Sequence, residues 1–245
     1  MASIEIEPCE ILAWDSEFFG RTIGRLTRRT LTPQIIEDAG RWAEAHRIEC
    51  IYFLADSADP ITLRLAHEHG FELTDVRVML ERSTTDRDVR RPAGVRVRPV
   101  DPNDVPALRT LASTNHRDSR FYYDRHFPQL RCDELFATWI EKSACGYADH
   151  VLVASSGDTI AGYVTLHVRD RKRGSIGLFG VDAASRGTGV GSGLIAGALE
   201  WFRNRDVALV DVVTQARNIR AMRFYQHAGF SVTDIGLWYH WWPCR

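Results

Sequence analysis

The sequence predicts a mixed α/β fold, with a mostly antiparallel central sheet flanked by helices, and three observations carry that reading. Helix-period and strand-period segments alternate along the whole chain. Three consecutive strand patterns between Val151 and Val181 follow too closely for crossovers and read as a meander. A polar, charged stretch without apolar periodicity, RSTTDRDVRRPAG at 82–94, separates an earlier set of elements from a later one. The expected organisation is an α/β domain at 1–82, a linker at 83–94 and a second domain at 95–245. A chain of 245 residues suffices for one large domain or two small ones, and 44% apolar with 26% charged residues fits a folded globular protein.

In the first half, residues 4–7 and Arg21–Leu26 look extended. Thr32-Pro33 is a cap and first-turn pair for a helix with Ile35, Ile36, Ala39 and Trp42 on one face. CIYFLA at 50–55 reads as a buried strand. A helix from Pro60 to His69, carrying Leu63, Leu65 and Ala66, stops at Gly70 and leads into a strand at Phe71–Leu80. In the second half, VRVRPV from Val95 alternates like an edge strand, and Asp101–Ala112 is a capped helix with Val105, Leu108, Leu111 and Ala112 inward. An irregular aromatic and charged stretch runs from Asn115 to Arg131, and Leu135–Lys142 is helical. Strands at Val151–Ala154, Ile160–Val168 and Ser175–Val181 follow. Gly-rich residues 186–193 open a helix with Leu194, Ile195, Ala198, Leu199 and Phe202 on its apolar face. A strand at 208–214, a helix at Asn218–His227 and a strand at Phe230–Trp242 close the chain.

The halves echo one another at a shift of 159 positions. His69-Gly70-Phe71 falls on Ala228-Gly229-Phe230, and Leu65 falls on Phe224. Two readings stay open: a duplicated unit, or the common pattern of β-α-β units ending in Gly-Phe. Under the shift, Gly187–Leu194 corresponds to RRTLTPQI, and Tyr225 to Ala66. A duplicated first half would lack both of those chemical features.

Several function classes are excluded by composition. Thirty-one Lys plus Arg against 32 Asp plus Glu leave a formal charge of −1, which argues against bulk nucleic acid or an anionic membrane as the main partner. No apolar run reaches the roughly 20 residues of a spanning helix, and the acidic N-terminal stretch does not read as a secretory signal. The expected address is the cytoplasm. Cys9, Cys50, Cys132, Cys145 and Cys244 are scattered without a C-x-x-C, and His67 and His69 lie two apart on a helix. No metal site is expected.

The most informative segment is a strand followed by Arg186-Gly187-Thr188-Gly189-Val190-Gly191 and an amphipathic helix. Glycines admit a ligand close to the backbone, and unpaired N–H groups at a helix start attract an anion. A Walker loop would need Gly-Lys-Ser/Thr, which is absent. Gly191-x-Gly193-x-x-Ala196 formally satisfies a dinucleotide fingerprint, with Asp211 about 20 residues on. That motif should turn directly out of its strand, whereas five residues separate Val181 from Gly187 and Asp211 sits inside a strand.

Arg186, Gly189 and Gly191 in R-G-x-G-x-G resemble the pyrophosphate loop of the GNAT-type N-acetyltransferase superfamily, whose pattern is Gln/Arg-x-x-Gly-x-Gly/Ala. NIRAMRFYQHAGF at 218–230 is similar to that superfamily's Asn-x-x-Ala-x-x-x-Tyr-x-x-x-Gly-Phe segment. The resemblance implies the GNAT fold, with a degenerate GNAT-like first half if the echo is a duplication. It further implies two splayed strands holding the pantetheine arm of acetyl-CoA. Backbone groups of Leu178, Phe179, Gly180 and Val181 would hold the thioester, and Arg186, Gly187, Thr188, Gly189, Val190 and Gly191 the pyrophosphate. Tyr225 would act as the acid for the departing thiolate, and Asn218 would orient pantetheine or a water. Candidate bases are His167, His116 and Asp118, or a water relay.

WDSEFFG at 14–20, LRTLAS at 108–113, SRFY at 119–122, WI at 139–140, GYV at 162–164 and LWYHW at 237–241 carry a narrower resemblance to the dTDP-fucosamine acetyltransferases, from which the tail HWWPCR departs. This implies N-acetylation of a nucleotide-linked amino-deoxysugar by direct attack on the thioester. Arg117, Arg120 and Arg125, among Phe121, Tyr122 and Tyr123, have a composition suited to clamping a diphosphate and stacking a pyrimidine. A solvated loop with buried aromatics is the competing reading. The competing functions are acetylation of another small amine, an aminoglycoside-type antibiotic or a protein N-terminus, and a catalytically silent coenzyme A-binding protein. An exposed face of the first half could pair two copies.

Overall fold

The computed structural model describes residues 7–87, 89–156, 159–170 and 172–243. Its elements are β1 (Cys9–Ile11), α1 (Ala13–Phe19), β2 (Ile23–Leu26), α2 (Pro33–His46), β3 (Cys50–Asp56), α3 (Pro60–Glu68), β4 (Glu72–Ser83) and β5 (Arg96–Pro99). They continue with α4 (Val105–Asn115), α5 (Gln129–Lys142), β6 (His150–Ser156), β7 (Thr159–Val168), β8 (Arg173–Val181), α6 (Val190–Arg203), β9 (Leu209–Gln215), α7 (Ile219–His227) and β10 (Ser231–Trp241). The mixed α/β class is as the sequence predicts. The chain divides into two compact units, one of residues 1–77, 119–127 and 235–245, the other of 78–118 and 128–234.

In the first unit β2 runs parallel to β3, and β1 and the end of β10 pair antiparallel with β2 and β3. Ile36, Ala39, Trp42 and Ala43 form the buried face of α2 and join Ile51, Phe53, Ala55, Leu65 and Phe71 in one core. Thr32 caps α2 as its Oγ1 accepts from the Ile35 N–H at 3.2 Å. The helix α1 is absent from the sequence expectation because it lacks the usual signals: no side-chain cap opens it and none of its residues is buried. Trp14 stacks on Phe18 at 5.1 Å within it, Phe19 packs 4.5 Å from Phe127 and 5.4 Å from Phe121, and left-handed Gly20 ends it. Of the extended stretch expected at 4–7, residues 4–6 lie outside the described residues.

A buried polar cluster completes this unit. Asp124 Oδ2 accepts from His240 Nδ1 at 2.6 Å and from the Trp242 indole at 3.2 Å, while Asp124 Oδ1 accepts from the His126 backbone N–H at 2.9 Å. Burial alone would raise the Asp124 carboxyl, but these donors bring it down to about 2. His240, stacked on Tyr52 at 4.6 Å and fully buried, is pushed down to about 4 by desolvation.

The second unit holds the meander: β5 to β6, β6 to β7 and β7 to β8 are all antiparallel, and α6 carries the chain from β8 to the parallel β9. Its core gathers Leu152, Val164, Leu166, Ile176, Leu194, Ile195, Leu199, Phe202, Val210, Val212 and Phe230. Two expected helix starts shift. The helix expected at Asp101 begins at Val105, because Asp101 caps a 3₁₀ turn at Pro102–Asp104 instead, and α5 starts at Gln129 rather than Leu135. The start of the expected linker lies in β4, where Arg82 is buried with its guanidinium hydrogen-bonded to the Ala228 carbonyl.

Shifting the first unit's elements by 159 residues carries Cys50–Asp56 onto Leu209–Gln215, Pro60–Glu68 onto Ile219–His227, and the start of β4 at Glu72 onto the start of β10 at Ser231. Among the described residues no helix is long and apolar enough to cross a membrane.

The His240 shift has a stability consequence with a definite sign. The unfolded chain binds a proton at this histidine near pH 6.5 and the folded one only near 4, so stability is lost as pH falls through that window, by on the order of 3 kcal/mol. The Asp124 contribution is lost lower, between its unfolded value near 4 and its folded value of about 2. Urea unfolding followed from pH 7 to pH 4 should show the falling slope, and His240→Asn should flatten it.

Candidate active site

The second unit contains two strands that part company. β8 and β9 pair in parallel only from Arg173↔Leu209 to Ile176↔Val212. Beyond Ile176 the pairing of β8 with β7 slips, with Val164 opposite Phe179 but Leu166 opposite Ile176. Gly177 lies in this bulge, where a Cβ would stand 2.6 Å from Thr165 Oγ1 and 2.8 Å from His167 Nε2. The Thr165 hydroxyl fills the break by accepting from the Leu178 N–H at 2.8 Å.

Strand alternation then decides which backbone groups face the gap. Leu178 N–H points toward β7, and so does Asp182 N–H, which donates to the Ala161 carbonyl at 2.8 Å. With a period of two, Phe179 and Val181 direct their N–H groups to the side that β9 has left. The expected run Leu178–Val181 thus narrows to two gap-facing donors, with Leu178 already engaged and Gly180 turned toward β7.

The glycine loop begins at the end of β8. Asp182 caps a 3₁₀ turn at Ala183–Ser185, and left-handed Gly187 (φ 79°) and Gly189 (φ 93°) swing the chain into α6. No side chain caps α6, and its first backbone acceptor bond runs from Gly193 N–H to Gly189 O. The amides before it are therefore open to an anion, with the helix dipole behind them. Arg186, exposed, is steadied by Asn115 Oδ1 at 3.0 Å, and the Thr188 hydroxyl is turned inward to the Ser185 carbonyl at 2.7 Å. A Cβ on Gly189 would collide with Pro92 at 2.4 Å, and one on Gly191 would press on the Phe224 ring.

Tyr225 is buried on α7 beside the gap strand, its ring 5.9 Å from that of Phe179 in an edge arrangement. Burial raises its phenol well above the ordinary range, so it stays protonated through alkaline pH. The hydroxyl has no protein partner among the described residues. Asn218 caps α7 by accepting from the Ala221 N–H at 3.0 Å, which commits its carbonyl oxygen and leaves its amide hydrogens for other work.

The remaining sequence candidates are spread more widely. His167, on β7, is lowered by burial and lies edge-on to Tyr147. Arg117 belongs to the second unit and is 3.6 Å from Asp133. Arg120, Tyr122 and Tyr123 belong to the first unit, where Tyr123 is exposed. The Arg120 guanidinium sits 4.4 Å from the ring centres of both Phe121 and Trp238 and 4.9 Å from that of Tyr52. Sequence reasoning placed Arg120 in an irregular loop; its aromatic neighbours on β3 and β10 are remote in sequence and invisible to local pattern. Glu72, Asp124 and His126, also of the first unit, bring possible ligand atoms within 4.8 Å, but both Asp124 oxygens already accept hydrogen bonds.

A sequence model of the Acetyltransferase (GNAT) family matches residues 109–230, which span the gap strands, the glycine loop and α7. The dTDP-fucosamine acetyltransferase of Escherichia coli O6:H1 is 30% identical over 95% of this chain and 96% of its own. The chain belongs to the GNAT acetyltransferase family. It is an N-acetyltransferase of a family whose donor is acetyl-CoA. Another relative, the spore coat polysaccharide biosynthesis protein SpsD of Bacillus subtilis, is 28% identical over 59% of this chain and 50% of its own. Among solved structures, a GCN5-related N-acetyltransferase from Sphaerobacter thermophilus shares the fold, with a TM-score of 0.66 at 16% identity over 96% of this chain and 76% of that one.

Gly189→Val should both strain a left-handed position and strike Pro92. We expect at least a tenfold weaker acetyl-CoA Kd by calorimetry, with acceptor KM little changed if the protein stays folded. Arg186→Ala should weaken the coenzyme more mildly and make its binding less salt-dependent.

Proposed function

We propose that this acetyltransferase acylates the amino group of a nucleotide-linked amino-deoxysugar of the dTDP-fucosamine kind, in the cytoplasm. The relationship to a dTDP-fucosamine acetyltransferase along almost the full length of both chains carries the reading. It gains support from Arg120. This guanidinium makes no hydrogen bond or close ion pair among the described residues, and a cation set among aromatic rings suits the phosphates of a nucleoside diphosphate. Tyr122 and Tyr123, which follow it in the chain, suit a stacked pyrimidine.

The reaction needs a neutral amine, an aimed carbonyl and a proton for sulfur. Pyrophosphate bound at residues 186–191 fixes one end of the coenzyme, and hydrogen bonds along the open side of β8 fix the arm, as a strand is fixed by its neighbour. The Phe179 and Val181 amides then stand beside the thioester, where a developing oxyanion gains most from fixed dipoles. The amine attacks the carbonyl carbon, the C–S bond breaks, and Tyr225 gives its phenolic proton to the sulfur. By ordinary values, near 10 for the phenol and 8.5 for the thiol, that transfer is uphill by about 2 kcal/mol. The dry surroundings that raise the phenol raise the thiol as well, so the mismatch stays small enough for catalysis. Asn218 directs its amide hydrogens toward the coenzyme arm.

The coincidence of elements at a shift of 159 residues supports reading the first half as a copy of the catalytic one without its chemistry. Where α6 starts bare, α2 starts with Thr32 bonded to its own backbone and with Pro33, which has no N–H.

A thiol-release assay over a panel of nucleotide amino sugars, aminoglycosides and N-terminal peptides tests the acceptor. Turnover confined to the nucleotide sugars is expected; turnover only with the others would overturn the proposal. Tyr225→Phe should reduce kcat by on the order of 10²-fold with acetyl-CoA KM nearly unchanged, and an unaltered rate would remove Tyr225 from the mechanism.

A further inference from the structure

The proton that leaves the amine needs a route, and the second unit contains a pair of side chains for which packing alone gives no account. Tyr163, on β7, stands opposite Gly180 of β8 and lies across it. A Cβ on Gly180 would be 2.6 Å from Tyr163 Cζ and 2.8 Å from its Oη, so glycine at 180 is what lets the phenol cross the strand. The Tyr163 hydroxyl is hydrogen-bonded to His116 Nε2 at 2.8 Å. His116 ends α4 and stacks on Phe136 of α5 at 4.5 Å. It is partly exposed, and its Nδ1 has no protein partner among the described residues.

Tyr163 and Tyr225 occupy opposite faces of the same strand. Gly162, next to Tyr163, faces Val190 and Leu194 of α6, so Tyr163 faces away from α6, toward α4 and α5. Phe179, against which Tyr225 packs, lies on the α6 side near Gly191. One phenol thus stands on each face of the gap-forming segment, one over Gly180 and one beside Phe179. An acyl transfer has two proton movements in different directions, one to the leaving sulfur and one from the attacking nitrogen.

We propose that Tyr163 and His116 form the relay that removes the proton from the acceptor amine. As the N–C bond forms, the nitrogen gives its proton to Tyr163 Oη, and the phenolic proton of Tyr163 moves to His116 Nε2. The imidazolium so formed releases a proton to water from its exposed side, and the proton that Tyr225 gives to sulfur is replaced from solvent. The sum is amine plus thioester to amide plus free thiol. Tyr163 touches the reacting nitrogen in this scheme, whereas His116 acts through it.

Burial lowers His116 to about 4, which keeps it neutral and able to accept at working pH. The other elements packed against it present the Tyr163 phenol and the Phe136 ring. The nearest charges on its own segment are Arg117, opposite Asp133, and Asp118, and Arg186 is held to Asn115.

The relay rests on the thioester lying along Phe179–Val181, which is tested independently by hydrogen exchange. Acetyl-CoA should protect the Phe179 and Val181 amides in the wild type. Tyr163→Phe and His116→Ala should each lower kcat by on the order of 10²-fold with acetyl-CoA KM unchanged. Added imidazole should restore kcat severalfold in His116→Ala and leave Tyr163→Phe unaffected, a pattern that a packing role for His116 would not produce. If coenzyme protects neither amide, the placement and the relay both fall. If the amides are protected but both variants keep the wild-type kcat, or the His116→Ala loss is indifferent to imidazole, the relay alone is overturned.

Discussion

The chemistry of the second unit depends on two hydrogen-bonded strands being made to separate. A parallel pair such as β8 and β9 would ordinarily zip along its full length, because each unpaired backbone group left in a dry place costs on the order of 1–3 kcal/mol. Here the zip stops at Ile176 and Val212. Gly177 allows the bulge, and Thr165 takes the Leu178 N–H that the slip would have orphaned. One side of the strand is thereby satisfied from within the protein, and the other is left with donors that only a ligand can use.

The same contrast between satisfied and unsatisfied backbone separates two helices that occupy comparable places in the two halves. At α2, a threonine side chain and a proline remove the need for an outside partner at the helix start. At α6, Gly187 and Gly189 with positive φ lead into the helix, and no side chain caps its start among the described residues. The two helices have the same length of 14 residues and differ in whether their first amides are met from within the chain. Binding capacity here is a property of what is left unpaired, and it can vanish while the fold persists.

Much of this was legible in the sequence because it is written locally. The glycine spacing from Gly187 to Gly191, the length of α6 and the position of Asn218 before α7 are short-range signals, and the elements form where those signals put them. The bulge was not legible: it depends on Thr165 meeting Leu178 across two strands, and threonine in a β-rich segment has an ordinary propensity reading. Nor was the Tyr163–His116 pair, whose members are 47 positions apart and are joined by the packing of α4 against β7. Arg120 looked like a loop cation because only Phe121 of its ring neighbours is near it in sequence, while Tyr52 and Trp238 reach it from remote strands. Helix α1 escaped notice for a different reason: it has no side-chain cap and no fully buried residue, and Phe19 packs on Phe121 and Phe127, which are remote in sequence.

A chain with a net charge of −1 nonetheless binds a donor that carries several phosphates, and the way it does so explains why composition said so little about it. Peptide N–H groups carry partial positive charge without adding to the formal count, and several converging at one helix start rival a full cation at short range. They are also held by the backbone, so they pay none of the entropy that an array of lysines would lose on binding. In the proposed site, exposed Arg186 would add one formal charge where solvent screens it, and the amides within the turn would act where screening is weakest. The selectivity of such a site is geometric: it favours an anion small enough to enter the turn and attached to an arm that can lie along β8. A free phosphate would meet the first condition only, so under the proposed placement the strand gap, and not the loop, would set acetyl-CoA apart from other anions.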